Sequence, residues 1–200
     1  MRATATESLR TIDGYIDCPG IPDFTHWFTG SQVVDQNGRP LKLYHQASCQ
    51  FTNFDDRFDS GLNDFGKAFY FSNSSFNTGL FGSGKLRDLI TVHLCLKHPL
   101  DFNRVISKRH AVQLLKEYNN SFAVRITPDF HGPLQVGELL DFIQEHDNAS
   151  YGRLQPFMVQ LGYDGFKHYA NSYTSFITQP SSDRFVTYAA FRPEQIRFVD

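Results

Sequence analysis

Leu41-Lys42-Leu43-Tyr44-His45-Gln46-Ala47 and Gly66-Lys67-Ala68-Phe69-Tyr70-Phe71-Ser72 are the two stretches on which the reading of this chain turns. Each alternates or runs apolar over strand length and closes on small or polar residues, the pattern of a strand entering a cleft. Each carries one ring near its end. The imidazole of His45 offers ring nitrogens for hydrogen bonding, and Tyr70 offers a flat aromatic face with a polar tip. A planar, hydroxyl-rich ligand needs that pair: a ring to stack on and a group to grip a sugar hydroxyl.

Upstream, Asp23 to Gly30 reads as a short helix, with Asp23 as its cap and Phe24, Trp27 and Phe28 on one face. Asn37-Gly38 marks the turn that delivers the strand carrying Tyr44 and His45. Residues 48–65 are rich in Asp, Asn and Phe without a sustained period and read as a long loop, which Phe51, Phe54, Phe58 and Phe65 tie to the core. Asn73 to Phe81 reads as a short helix capped by Asn73 or Ser74. Asp88 to Leu96 is a strand with Ile90, Val92, Leu94 and Leu96 on one face. Helices are predicted at Val105 to Tyr118, Val136 to Phe142 and Leu154 to Leu161, the last ended by Gly162. Strands follow at Tyr163 to Phe166, Phe185 to Phe191 and Gln195 to Val199, with a Ser- and Thr-rich loop from Asn171 to Asp183.

The chain has 200 residues and a formal net charge of −2, which suits one domain with a sizeable core. We read residues 1–20 as a tail or edge segment and 21–200 as the folded domain. No basic stripe is present, so no nucleic-acid partner is expected. No apolar run approaches the roughly 18 residues a membrane helix needs, so no membrane association is expected. Residues 1–15 lack the apolar stretch of a secretory signal. Cys18, Cys49 and Cys95 form an odd, widely spaced set, which fits a reduced compartment or a disulfide-free secreted protein.

Other constellations compete for the chemistry. Gly79-Leu80-Phe81-Gly82-Ser83-Gly84-Lys85-Leu86 matches a phosphate-binding loop except at its last place, where Leu86 lacks the hydroxyl that holds Mg²⁺, and the segment before it reads as helix rather than strand. His93, Cys95 and His98 lack a second ligand pair at zinc spacing, so no metal is expected. Nothing in the sequence pairs Cys49 with a base, and it reads as structural.

The order and spacing of several landmarks resemble the ADP-ribosyltransferase superfamily, on its diphtheria-toxin and poly(ADP-ribose) polymerase side, and most closely the bacterial and phage domains of polyvalent proteins and effectors. Residues 24–47, FTHWFTGSQVVDQNGRPLKLYHQA, are similar to that group's run of a helix, a polar turn and a YHG-type strand. Residues 66–72 resemble its G-K-G-x-Y-F motif, with Ala68 at the second Gly. Tyr163-Asp164-Gly165 and Phe191-Arg192-Pro193-Glu194-Gln195-Ile196 resemble two later landmarks, and His98-Pro99-Leu100-Asp101 resembles its Asn-Pro-Leu-Asp turn. The resemblance implies an α+β fold of split, mainly antiparallel sheets around an NAD cleft with peripheral helices.

It further implies the roles of the site residues. His45 would bond a ribose 2'-hydroxyl of NAD, the main chain at Gln46 and Ala47 would take the nicotinamide amide, and Tyr70, beside Phe71, would stack on the nicotinamide. Thr78 falls where a Ser bonds the carboxamide, and Phe81 where a second ring stacks. The family's Glu, which stabilises oxocarbenium character at the ribose and helps activate the acceptor, maps onto Thr187. Three outcomes stay open: Asp183 substitutes for it, positioning and electrostatics suffice for slow mono-ADP-ribosylation, or the chain binds NAD or a partner without turnover. The implied activity is mono-ADP-ribosyl transfer from NAD to a protein side chain, with NAD glycohydrolysis or an inactive protein-binding module as alternatives. The acceptor is expected to be a protein, with Ser or Thr open and ubiquitin one possibility. The implied setting is a monomer in the bacterial cytoplasm or an effector secreted into a host cell.

Overall fold

The computed structural model describes residues 23–47, 51–55, 65–75, 88–169 and 185–199, with the backbone of two short strands at 11–12 and 15–16. Those strands, β1 (Thr11–Ile12) and β2 (Tyr15–Ile16), pair with each other as a small antiparallel ribbon. The remaining strands are β3 (Leu43–Ala47), β4 (Phe69–Ser72), β5 (Asp88–Leu94), β6 (Pro99–Asp101), β7 (Val105–Ile106), β8 (Leu134–Gln135), β9 (Gly165–Tyr169), β10 (Val186–Ala190) and β11 (Ile196–Phe198). Seven of them form one curled sheet in the order β11-β5-β3-β4-β10-β9-β6, while β7 and β8 make a separate ribbon. Every pairing in the large sheet is antiparallel except β6 with β9. This is the α+β class anticipated from the sequence.

The sheet consists of two well-laddered halves. β3 pairs with β5 from Leu43↔Val92 to Ala47↔Asp88, and β4 pairs with β10 from Phe69↔Ala190 to Ser72↔Thr187. Between the halves the ladder has one pair, Tyr44↔Ser72.

Alternation along the strands divides the core into two layers. One face buries Leu43, Phe69, Phe71, Ile90, Val92, Leu94 and Tyr188. The other carries Phe166 and Ala189 against the helices. These helices are α1 (Phe24–Phe28), α2 (Lys108–Phe122), α3 (Val136–His146) and α4 (Leu154–Gln160). α1 starts as anticipated, with the Asp23 carboxylate accepting from the His26 N–H at 2.6 Å. Behind the sheet, the Asp147 carboxylate takes both the Tyr118 hydroxyl at 2.6 Å and the Arg153 guanidinium at 2.9 Å, joining α2 to the segment between α3 and α4.

Several boundaries differ from the sequence reading, two of them through an identifiable partner. Val105 belongs to β7, where a β-branched residue fits a strand, and Ser107 rather than Val105 opens the helix by accepting from the His110 N–H. The His98–Asp101 segment is a bend followed by strand β6 instead of a turn. The Asp164 carboxylate holds the N–H groups of Lys97 and His98, which swings Pro99–Asp101 alongside Gly165–Lys167.

Candidate functional site

Five of the expected site residues, His45, Gln46, Ala47, Tyr70 and Phe71, stand on the two strands that flank the weak seam between β3 and β4. Past Tyr44↔Ser72 no further pair joins the two strands, and the His45 side chain takes over the connection. Its Nδ1 lies 2.9 Å from the Tyr70 carbonyl oxygen. A carbonyl only accepts, so Nδ1 carries the proton and Nε2 is left as an acceptor. Phe51, Phe54 and Phe71 surround the ring at centroid distances of 6.3, 5.4 and 5.5 Å. Burial among them pushes the imidazole below the usual histidine range, and the carbonyl bond opposes this in part.

Tyr70 turns the other way. Its hydroxyl donates to the Gly66 carbonyl at 3.1 Å, and its ring meets Phe166 edge-on at 5.7 Å. The rings of His45 and Tyr70 therefore lie on opposite faces of the sheet and meet through the main chain of Tyr70.

Gln46 follows His45 and by alternation shares the face of Tyr70. Its Oε1 is buried and has no hydrogen-bond partner among the described residues, a costly state for a polar atom unless something else donates to it. The side chains of Ala47 and Phe71 are 8% and 2% exposed. They belong to the core.

Thr187 is the second residue of β10, half-buried, with Ser72 of β4 on one side and His168 of β9 on the other. His45, Tyr70 and Thr187 thus stand on three consecutive strands of the sheet. Asn73 fixes the last of these. Its N–H donates to the Val186 carbonyl at 3.1 Å and its Oδ1 accepts from the Val186 N–H at 2.7 Å. Asn73 therefore clasps β10 directly before Thr187. Thr78, Phe81 and Asp183 lie outside the described residues, as do Cys49, the Gly79–Leu86 loop and the Asn171–Asp183 loop.

His168 escaped the sequence reading. It faces Thr187 across the ladder and packs against Phe65 and Phe102. Burial holds its pKa below the usual value, with the Asp101 carboxylate opposing. Its signal was the alternation of β9, which only the register with β10 makes meaningful.

His93 and Cys95 have structural partners: His93 Nδ1 sits 2.8 Å from the Leu41 carbonyl, and the Cys95 thiol donates to the Trp27 carbonyl. Among the described residues no group of three or more His, Cys, Asp or Glu is placed to hold a metal ion. A cavity of about 540 Å³ lies at the C-terminal end of α2 and one of about 220 Å³ among α2, α3 and α4; neither is lined by His45, Tyr70 or Thr187.

Residues 35–200 match the family described as ADP-ribosyltransferase in polyvalent proteins. The match covers most of the chain, and the chain belongs to that family. No curated protein and no solved structure matches it. The chemistry of the family is ADP-ribosyl transfer, with NAD as co-substrate.

Proposed function

We propose that the chain is a mono-ADP-ribosyltransferase that moves ADP-ribose from NAD to a protein side chain and releases nicotinamide. The observation that carries this reading is the seam: a neutral imidazole whose Nε2 has no partner among the described residues bridges to the Tyr70 carbonyl, and Thr187 stands on the strand beyond Tyr70. The groups present fit NAD as substrate. His45 Nε2 accepts from a ribose hydroxyl, the orphaned Oε1 of Gln46 accepts from a carboxamide N–H, and Tyr70 supplies a ring on the same face as Gln46. The acceptor oxygen bonds C1' of the ribose while the C1'–N bond breaks, its electron pair leaving with nicotinamide and the acceptor's proton being released.

The acceptor in this reading is a hydroxyl-bearing side chain of another protein, a host protein such as ubiquitin being one candidate, and the enzyme works as a monomer in a bacterium or as an effector delivered to a host cell. Thr187 bonds a sugar hydroxyl but cannot serve as a carboxylate, which supports single transfer rather than chain growth. The same threonine favours a second reading, a module that binds NAD or a protein partner without turnover; water in place of the acceptor makes the chain an NAD glycohydrolase. Incubation with labelled NAD, with and without cell lysate, separates them. Label on a lysate protein supports transfer, free ADP-ribose without lysate supports hydrolysis, and neither product overturns both enzymatic readings.

A further inference from the structure

The face of the sheet that carries Tyr70 holds a second, unassigned imidazole. In register, Thr187 stands between Ser72 and His168, and Ala189 stands between Tyr70 and Phe166. Cross-strand neighbours have Cβ atoms roughly 5 Å apart, so Thr187 and His168 are side by side, the first one strand and the second two strands beyond Tyr70. Phe65 and Phe102 back the His168 ring at 6.3 and 5.7 Å between centroids. Neither ring nitrogen has a hydrogen-bond partner among the described residues, and the residue is only half-buried. The charged group nearest to compete for it, Asp101, is already engaged by Lys167 at 3.0 Å and by the Asn103 N–H at 3.0 Å. Here, then, is a neutral base with free nitrogens beside the position where a carboxylate would have been expected and a threonine stands.

We propose that His168 is the general base of this site, taking the proton of the attacking hydroxyl while Thr187 holds the ribose under attack. The proposal rests on the transferase reading above. In the step it describes, a ring nitrogen of His168 accepts the proton of the acceptor hydroxyl as its oxygen bonds C1'. The C1'–N bond breaks with its electron pair going to nicotinamide, which departs neutral, and the imidazolium passes its proton to solvent. Atoms and charge balance: NAD and a hydroxyl give the O-linked ADP-ribosyl glycoside, nicotinamide and one proton. An imidazole at neutral pH performs this transfer without the carboxylate that Thr187 lacks.

The test measures nicotinamide release from NAD labelled in its carboxamide, with cell lysate as the source of acceptor and lysate alone as the blank, by wild type, His168→Gln and His168→Ala, with His110→Gln on the exposed start of α2 as a control. Fold retention is read from near-UV circular dichroism. The expected result is a fall in kcat of about a hundredfold or more for both His168 variants, an unchanged KM for NAD, an unaffected control, and partial recovery of His168→Ala on adding free imidazole. Folded variants that keep wild-type kcat, or a loss confined to KM that imidazole does not restore, overturn the assignment of His168 and leave the transferase reading standing. A wild-type protein that releases no nicotinamide overturns both.

Discussion

At the scale of single residues, the imidazole of His45 is set by two opposing effects. Three phenylalanine rings strip it of water and keep it neutral, while the Tyr70 carbonyl fixes which nitrogen bears the proton. His45→Gln removes both the rigid bridge across the seam and the Nε2 acceptor. We predict that kcat/KM for NAD falls about tenfold or more, the worth of one hydrogen bond to a sugar hydroxyl, read as nicotinamide release. Gly165 is the opposite kind of residue, required for what it lacks. A Cβ there would collide with the Ala189 carbonyl and stand 2.9 Å from a Leu96 methyl. Gly165→Ala is expected to cost about 1–3 kcal/mol, measured by urea denaturation. That His45 and Tyr70 lie on strands was legible in the sequence, because each sits near the end of a strand-like run. The orphaned Oε1 of Gln46 and the partnership of His168 with Thr187 were not, since both depend on which strand lies alongside.

Elements place these residues with few contacts. β10 is held against β4 by its ladder and, at its first residue, by the paired bonds between Asn73 and Val186. The sequence suggested Asn73 or Ser74 as a helix cap, and the Asn73 side chain is engaged elsewhere because Val186 brings an N–H to its Oδ1 from 113 residues away. Asn73→Ala frees that N–H at the edge of the site. We predict a loss of about 1–3 kcal/mol for the unpaired group in thermal unfolding, together with a reduced kcat as Thr187 loses its support. Asn73→Asp, which keeps the acceptor, should retain most of both. Two of the element boundaries that the sequence misplaced share one cause: a local pattern was outvoted by a distant partner. Val105 reads as helix until β8 pairs with it, and Pro99–Asp101 reads as a turn until the Asp164 carboxylate reaches Lys97 and His98.

Across the whole molecule, His45, His93 and His168 are each held below the usual histidine value of 6.5, with burial the first cause in every case. The sign follows from linkage: the unfolded chain takes up these protons more readily than the native one, so stability is complete above pH 6.5 and is lost as pH falls below it. Burial alone would push the Asp147 carboxyl up, but bonds from Tyr118, the Ala149 N–H and Arg153 hold it lower than its ordinary 3.8, adding a further loss at stronger acidity. We predict a lower thermal midpoint at about pH 5 than at about pH 7.5, and a smaller difference in His93→Gln, which removes one of the three groups away from the seam. An unchanged midpoint over that range would show that the three imidazoles titrate alike in the native and unfolded chains.

By itself the sequence determined the strands that carry His45 and Tyr70, the capped helix at Asp23 and the apolar face of β5, because strand alternation, helix spacing and turn chemistry are written in neighbouring residues; the class of fold came from its resemblance to a known family. The tertiary structure alone decided that β3 and β4 meet at a single pair, that the two rings fall on opposite faces of the sheet, and that Thr187 has an imidazole for a neighbour. Those facts belong to register, and register is set by contacts between residues far apart in the chain, about which a local pattern carries no information.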